Sequence, residues 1–201
     1  MNQTPPPPAA REKFIRDELA ASAAIKSKIY DACAPAITRS VDVIIGAYRA
    51  HKKVLLCGNG GSAADCQHLA TELVIRMDPS ITRPALPAIA LATDSSMLTA
   101  GANDIGYDNV FARAVEALGA SGDVLLCIST SGRSESVNNA ARMAKSKGMT
   151  VIAFLGKDGG TTKDLADVPL IIPSTDTQRI QEGHITVGHI ICALVEREMF
   201  A

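Results

Sequence analysis

Residues 54–73 read "VLLCGNGGSAADCQHLATEL". An unbroken apolar run ends at Gly58, and Gly60, Gly61 and Ser62 open a stretch whose apolar residues fall at helical spacing. A short continuous apolar run reads as a strand covered on both faces. Small residues at the junction let the chain turn tightly from strand into helix. The same "VLLC" returns at 124–127, followed again by small residues, Ser129-Thr130-Ser131-Gly132-Arg133-Ser134, and again by a helical pattern. This echo marks a recurring strand–loop–helix unit rather than a solenoid repeat.

Outward from these two units the alternation continues. "LPAIAL", "TVIAFLG" and "DVPLIIP" read as three further strands. Helical patterns cover Ser62–Met77, a short piece near Ser95, Asn109–Leu118, Ser134–Lys147, a weak turn after Gly160, and Gln178–Phe200. Strands alternating with helices predict an α/β fold: a three-layer αβα sandwich around a five-stranded parallel sheet. With the flavodoxin-like order 2-1-3-4-5, the two VLLC strands are neighbours at the topological switch point and their loops open into one crevice. Ahead of the sheet, Arg11 to about Ala50 is helical in pattern, and Pro35 predicts a break into a helical hairpin free to pack on neighbouring subunits. The Pro-rich residues 1–10 read as a disordered arm, leaving 11–201 as a single domain.

Composition narrows the classes. Hydrophobic residues make up 47% of the 201, as in ordinary globular proteins, and aromatics only 3%, so Ala, Leu, Ile and Val carry the packing. A formal net charge of −1 gives no reason to expect nucleic acid or an anionic membrane as partner. Five cysteines, an odd number without CxxC spacing, fit a reducing compartment. The N-terminus lacks the basic and apolar regions of a secretory signal. The longest greasy run, "ITVGHIICALV", is too short to span a bilayer. The expected location is the cytoplasm.

The loops have the chemistry of an anion cradle. Glycines bring backbone N–H groups close to a ligand, the following helix adds its positive end, and hydroxyls donate to phosphate oxygens. Each loop alone is also explained as a turn with a helix cap; their convergence favours phosphate. A dinucleotide site is less favoured, because no acidic residue ends the next strand to hold a ribose. "GKDGG" at 156–160 reads as a turn that needs no ligand. On the helix after the first loop, His68 and Glu72 are four apart and share a face, a pattern that in isolation reads as a surface pair. In the last helix Gln181 and His189 are eight apart, about 12 Å along the axis, so one ion reaches both only if they lean together. His184 reads as a packing or surface histidine, and His51 as a charge at a helix C-terminus.

"GNGGSAADCQHLATEL", "LPAIALATDSSMLTAGANDIGY", "GDVLLCISTSGRS" and "RIQEGHITVGHI", in this order, resemble the phosphoheptose isomerases, a group of sugar isomerase (SIS) domain proteins. The resemblance runs from about Arg11 to Phe200. It implies isomerisation of sedoheptulose 7-phosphate to D-glycero-D-manno-heptose 7-phosphate, an early step toward activated heptoses of lipopolysaccharide and other glycans. It further implies a homotetramer with active sites at subunit interfaces and one zinc ion (Zn2+) per subunit. The implied zinc ligands are His68, Glu72, Gln181 and His189; an interface site would ease their spacing. The implied substrate contacts are Asn59, Gly60, Gly61, Glu72, Asn103, Asp104, Ser129, Thr130, Ser131, Ser134 and Gln181, with Ser62 assisting as a helix cap. Asp94 and Asp176 are weaker candidates. The implied chemistry makes Glu72 the base and His189 the acid of an enediol(ate) proton transfer, with zinc as Lewis acid. The alternatives are a non-catalytic SIS protein that binds a sugar phosphate or a replication initiator, and an isomerase of another sugar phosphate tuned around Arg133, Ile75 and Met77.

Overall fold

In the computed structural model, which describes residues 7–201, five strands form one parallel sheet. They are β1 (Val54–Gly58), β2 (Ala88–Ala90), β3 (Val124–Ser129), β4 (Thr150–Leu155) and β5 (Val168–Ile171), in the spatial order β2-β1-β3-β4-β5. This is the expected order. The VLLC strands pair in register, Leu55 opposite Leu125 and Cys57 opposite Cys127.

The helices are α1 (Pro8–Arg49), α2 (Gly61–Val74), α3 (Ser95–Ile105), α4 (Val110–Leu118), α5 (Glu135–Ser146), α6 (Gly160–Leu165) and α7 (Thr177–Phe200), with a 3-10 turn at Tyr107–Asn109 before α4. Successive strand residues point to opposite faces, so each strand feeds two cores. Val54, Leu56, Leu126, Ile128 and Phe154 pack with α1, α2 and α7. Leu55, Cys57, Leu125, Cys127 and Leu155 pack with α4 and α5 on the other side. The three layers are as expected, and burial on both faces explains why the strands read as continuous apolar runs. All five cysteines are buried and unpaired.

The N-terminal region departs from expectation. A single 42-residue helix replaces the hairpin, and Pro35 lies inside it. A proline inside a helix costs about 3 kcal/mol through a lost hydrogen bond and a ring clash. Here Ile29 and Cys33 before it and Ile37, Val41 and Ile44 after it are all buried on one face, so packing holds the helix through the proline. The Pro-rich arm also ends earlier than expected. Pro8, Ala9 and Ala10 already belong to α1, where a proline at the first helical position gives up no intrahelical bond. Residues 1–6 of that arm lie outside the described residues. Among the described residues, no helix is long and apolar enough to cross a membrane.

Candidate functional site

At the C-terminal edge of the sheet the loops after β1 and β3 meet. Asn59 joins them: its Nδ2 donates to Ser134 Oγ (2.7 Å) and Ser136 Oγ (2.9 Å). On its other side the Tyr107 hydroxyl donates to Asn59 Oδ1 (2.6 Å). The helices that start here carry no side-chain cap. Gly60 and Ser134, at the caps of α2 and α5, make no capping bond, whereas Asp94 caps α3 and Asp176 caps α7 through their carboxylates. Two helix N-termini with unspent N–H groups therefore flank one crevice, an arrangement suited to an anion. Capping accounts for Asp94 and Asp176 without a ligand.

Each loop is shaped by close backbone approach. A Cβ on Gly58 would stand 2.9 Å from Ser62 O and 3.0 Å from Ile128 O, so only glycine lets α2 start this near β3. At Gly132, φ is +62° and a Cβ would run into the carbonyl of Gly159. The second loop thus rests on the "GKDGG" turn, and Thr162 anchors it through its backbone N–H (2.9 Å) and hydroxyl (3.0 Å) to Gly132 O. That turn is support for the cradle, a role its spacing alone does not reveal. Within the second loop Ser129 Oγ accepts from Gly132 N (3.1 Å) and Ser131 Oγ from Arg133 N (3.2 Å). The Arg133 guanidinium is paired with Asp158 (2.6 and 2.8 Å), whose carboxyl this bond pulls down to about 2.

The second cluster lies further along α2, on the side that faces α7. His68 Nε2 is 3.2 Å from Glu72 Oε1 and 2.7 Å from His189 Nε2. The three ligand atoms lie within 4.8 Å of one another, and His68 is exposed while Glu72 and His189 are half-buried. The two helices run side by side in the same direction, which sets the pairings. Gln181 faces Gly61, where a Cβ would stand 2.6 Å from Gln181 Nε2. Gly188 faces Leu69, where a Cβ would stand 2.6 Å from Leu69 Cδ2. Missing side-chain bulk at Gly188 lets the helices close, and His189 then meets His68. The spacing between Gln181 and His189 is thus taken up by two places on α2, and His68, Glu72 and His189 gather within one chain without a second subunit.

Other expected residues stand apart. Asn103 donates to Asp104 (2.7 Å) on the exposed face of α3, and neither bonds a loop residue. Ser62 does not act as the helix cap expected of it: the cap position of α2 is Gly60, and Ser62 is buried one residue inside the first turn. His184 is a packing histidine: fully buried, with Nε2 3.0 Å from Leu155 O. His51 follows α1 in the left-handed region, at φ 56°.

Three residues of the region were not singled out by sequence reasoning. Tyr107 and Ser136 bond Asn59 across the fold. Asp65, one turn before His68, keeps a buried Oδ2 without a hydrogen-bond partner. Burial raises its carboxyl pKa, with His68 and His189 pulling back against that. Only Asp65 had a local clue, its three-residue spacing from His68.

A catalytic metal site of two imidazoles and one carboxylate, with positions left open, is a familiar zinc donor set. The His68, Glu72 and His189 group fits it: two nitrogens 2.7 Å apart beside a carboxylate oxygen share one focus.

Comparison with known proteins shows the family. Residues 19–156 match the SIS domain family. A phosphoheptose isomerase of Pelodictyon phaeoclathratiforme is 54% identical, over 92% of this chain and 89% of that protein. The structure of a phosphoheptose isomerase from Francisella tularensis superposes with a TM-score of 0.89 at 34% identity, covering 93% of this chain and 98% of that one. One from Neisseria gonorrhoeae gives 0.87 at 39% identity, covering 92% and 98%.

Proposed function

Because the chain belongs to the SIS domain family, among its phosphoheptose isomerases, we propose that its crevice converts sedoheptulose 7-phosphate into D-glycero-D-manno-heptose 7-phosphate. The observation that carries this reading is the closure of the two loops by Asn59 beside two uncapped helix N-termini. The phosphate sits there, held by the N–H groups of Gly60 and Gly61 and by the hydroxyls of Ser129, Thr130, Ser131 and Ser134. His68 lies seven residues along α2 from Gly61, about 10 Å by helix geometry. An extended seven-carbon sugar phosphate bridges that interval, so C1 and C2 come beside Glu72 and His189.

The isomerisation moves one proton between carbons. Glu72 takes a proton from C1 of the ketose and returns it to C2 of the enediol(ate). His189 takes the proton of the C1 hydroxyl and supplies one to the C2 oxygen, so the carbonyl passes from C2 to C1 with no net change in charge. His68, Glu72 and His189 would hold the zinc ion. When bound, zinc supplies positive charge to steady the developing oxyanion. Gln181, a further ligand implied by the resemblance, has its amide beside Gly61 at the start of α2, where it would contact substrate. With zinc bound, Glu72 would act as base only through an oxygen not held by the metal, and His189 would exchange protons only through a ring nitrogen left free of it.

The exposed Phe14, Ile15 and Leu19 on α1 support a homotetramer, since apolar residues clustered on an exposed helix favour a partner surface. Asn103 and Asp104, exposed on α3, would complete a neighbouring subunit's site. The enzyme works in the cytoplasm and feeds heptose-containing surface glycans.

The test is an assay of the purified protein with sedoheptulose 7-phosphate. Folded Glu72→Gln and His189→Ala variants should lose at least about a hundredfold in kcat, the lower range for removal of a general acid or base. Near-wild-type turnover in either would overturn its assignment. Metal analysis and chelation test zinc separately.

A further inference from the structure

Tyr107 carries no role in the reading above, yet it makes the only side-chain bond to Asn59 Oδ1 among the described residues. We propose that Tyr107 is a positioning residue that sets the hydrogen-bond direction of the phosphate loop through Asn59. The inference rests on the crevice being a sugar-phosphate site and adds a residue that tunes it.

A side-chain amide has one acceptor oxygen and one donor nitrogen with two hydrogens. With Tyr107 donating to Oδ1 at 2.6 Å, both N–H groups of Asn59 are turned to the second loop. They meet two hydroxyl oxygens, Ser134 Oγ at 2.7 Å and Ser136 Oγ at 2.9 Å. A serine that accepts from Asn59 has its own proton left to give. Ser134 spends nothing on capping α5, and in its 3.3 Å contact with Ser136 Oγ either hydroxyl can donate; with Ser136 donating, the Ser134 proton is left for an anion in the crevice. With the amide reversed, Oδ1 would draw the serine protons to itself and leave lone pairs facing the phosphate. The tyrosine opposes that reversal, because a phenol is a readier donor than a serine hydroxyl.

Tyr107 is mounted to hold this bond. Its ring meets the fully buried Phe111 edge-on, with centroids 6.1 Å apart at 68°. Asn139 of α5 donates to the carbonyl of the next residue, Asp108, at 3.0 Å. Gly106, at φ +78°, turns the chain so that the ring faces the first loop. The hydrogen-bond relay runs from Tyr107 through Asn59 to Ser134, across three segments of the chain.

Tyr107→Phe removes the hydroxyl and keeps the ring contact. In the full-length protein, steady-state assays with sedoheptulose 7-phosphate should show KM raised about tenfold and kcat within about twofold. That is the split expected when about 1.4 kcal/mol of binding is lost. Calorimetric titration with inorganic phosphate should show the same rise in Kd, with Tm unchanged. Asn59→Asp, which removes the N–H donors altogether, should weaken phosphate binding further. A Tyr107→Phe protein with wild-type KM and phosphate Kd overturns the inference, as does a loss confined to kcat. Should that variant not fold, Asn59→Asp decides, and unchanged phosphate binding overturns the inference. If wild-type protein turns over no sugar phosphate and binds no phosphate, the reading of the crevice falls first and the inference with it. If the wild type performs both and only the Tyr107 effect is absent, the reading stands.

Discussion

Replacing Glu196 by alanine should cost the protein about 4 kcal/mol of stability. Glu196 lies on α7 with its side chain 1% exposed, and it bonds Arg83 Nε at 2.6 Å, also 1% exposed. Its oxygens further accept from the backbone N–H groups of Met77 (3.1 Å) and Asp78 (2.6 Å). Arg83 in turn donates to Leu73 O (2.9 Å) and Glu72 O (2.8 Å), carbonyls of the last turn of α2. Removing one partner of a buried pair leaves the other charge without compensation, an effect of about 3–5 kcal/mol. The two orphaned amides push toward the upper part of that range, and water entering the vacated space pushes back. For a chain of this size each kcal/mol lowers Tm by about 2–4 °C, so the expected drop is roughly 8–16 °C. Urea unfolding at fixed protein concentration measures it. Turnover should fall as well, because Arg83 fixes the carbonyl of Glu72 itself. A double R83M/E196L variant, which removes both charges, should recover most of the lost stability. A Glu196→Ala protein within about 1 kcal/mol of wild type, or a double variant no better than the single, would refute this account of the pair. The pH dependence has a definite sign. Burial alone raises the Glu196 carboxyl pKa, but Arg83 and the two backbone amides outweigh it and hold it below the usual value. The stability it contributes is therefore present above the ordinary glutamate pKa and is lost as pH falls through the lowered one.

Three further outcomes follow from particular contacts. Gly188→Ala should force α7 away from Leu69 and part His189 from His68, costing about 1–3 kcal/mol and lowering kcat more than KM; urea unfolding and steady-state kinetics check both. Gly132→Ala, at a positive φ and against the Gly159 carbonyl, should raise KM for the sugar phosphate severalfold while leaving the His68 cluster able to bind zinc, as read by metal titration. His184 is pushed down from 6.5 to about 4 by burial, against which its bond to the Leu155 carbonyl works. The unfolded chain therefore binds the extra proton first, and stability should fall by about 2 kcal/mol between pH 7 and pH 5. A His184→Asn variant should show a smaller fall in its urea midpoint over that interval, and an equal fall would refute the assignment.

The sheet was legible because its strands are short, apolar and separated by helical patterns, and because the repeated VLLC placed two of them together. The edge strand is shorter than "LPAIAL" suggested, only Ala88–Ala90, since an edge has one neighbour to pair with. Pro35 misled because local propensity says nothing of Cys33 and Ile37, which bury on either side of it. His68 and Glu72 share a face by spacing alone. That His189 joins them depends on α2 and α7 lying side by side, and the clue was the small residue Gly188 beside it. The Tyr107–Asn59 bond had no local trace, since hydrogen bonds between distant segments leave no period in a sequence. Asn103 and Asp104 were named through resemblance, and among the described residues their side chains bond only each other.

The most direct measurement follows conversion of sedoheptulose 7-phosphate in deuterated water by NMR, with wild type and Glu72→Gln side by side. Proton transfer by Glu72 through an enediol(ate) predicts that wild type forms the aldose heptose 7-phosphate, with deuterium entering C2 only to the extent that the proton on Glu72 exchanges with solvent before its return, and that Glu72→Gln forms essentially none. Aldose formed as fast by Glu72→Gln, or deuterium entering a carbon other than C1 and C2, would contradict it.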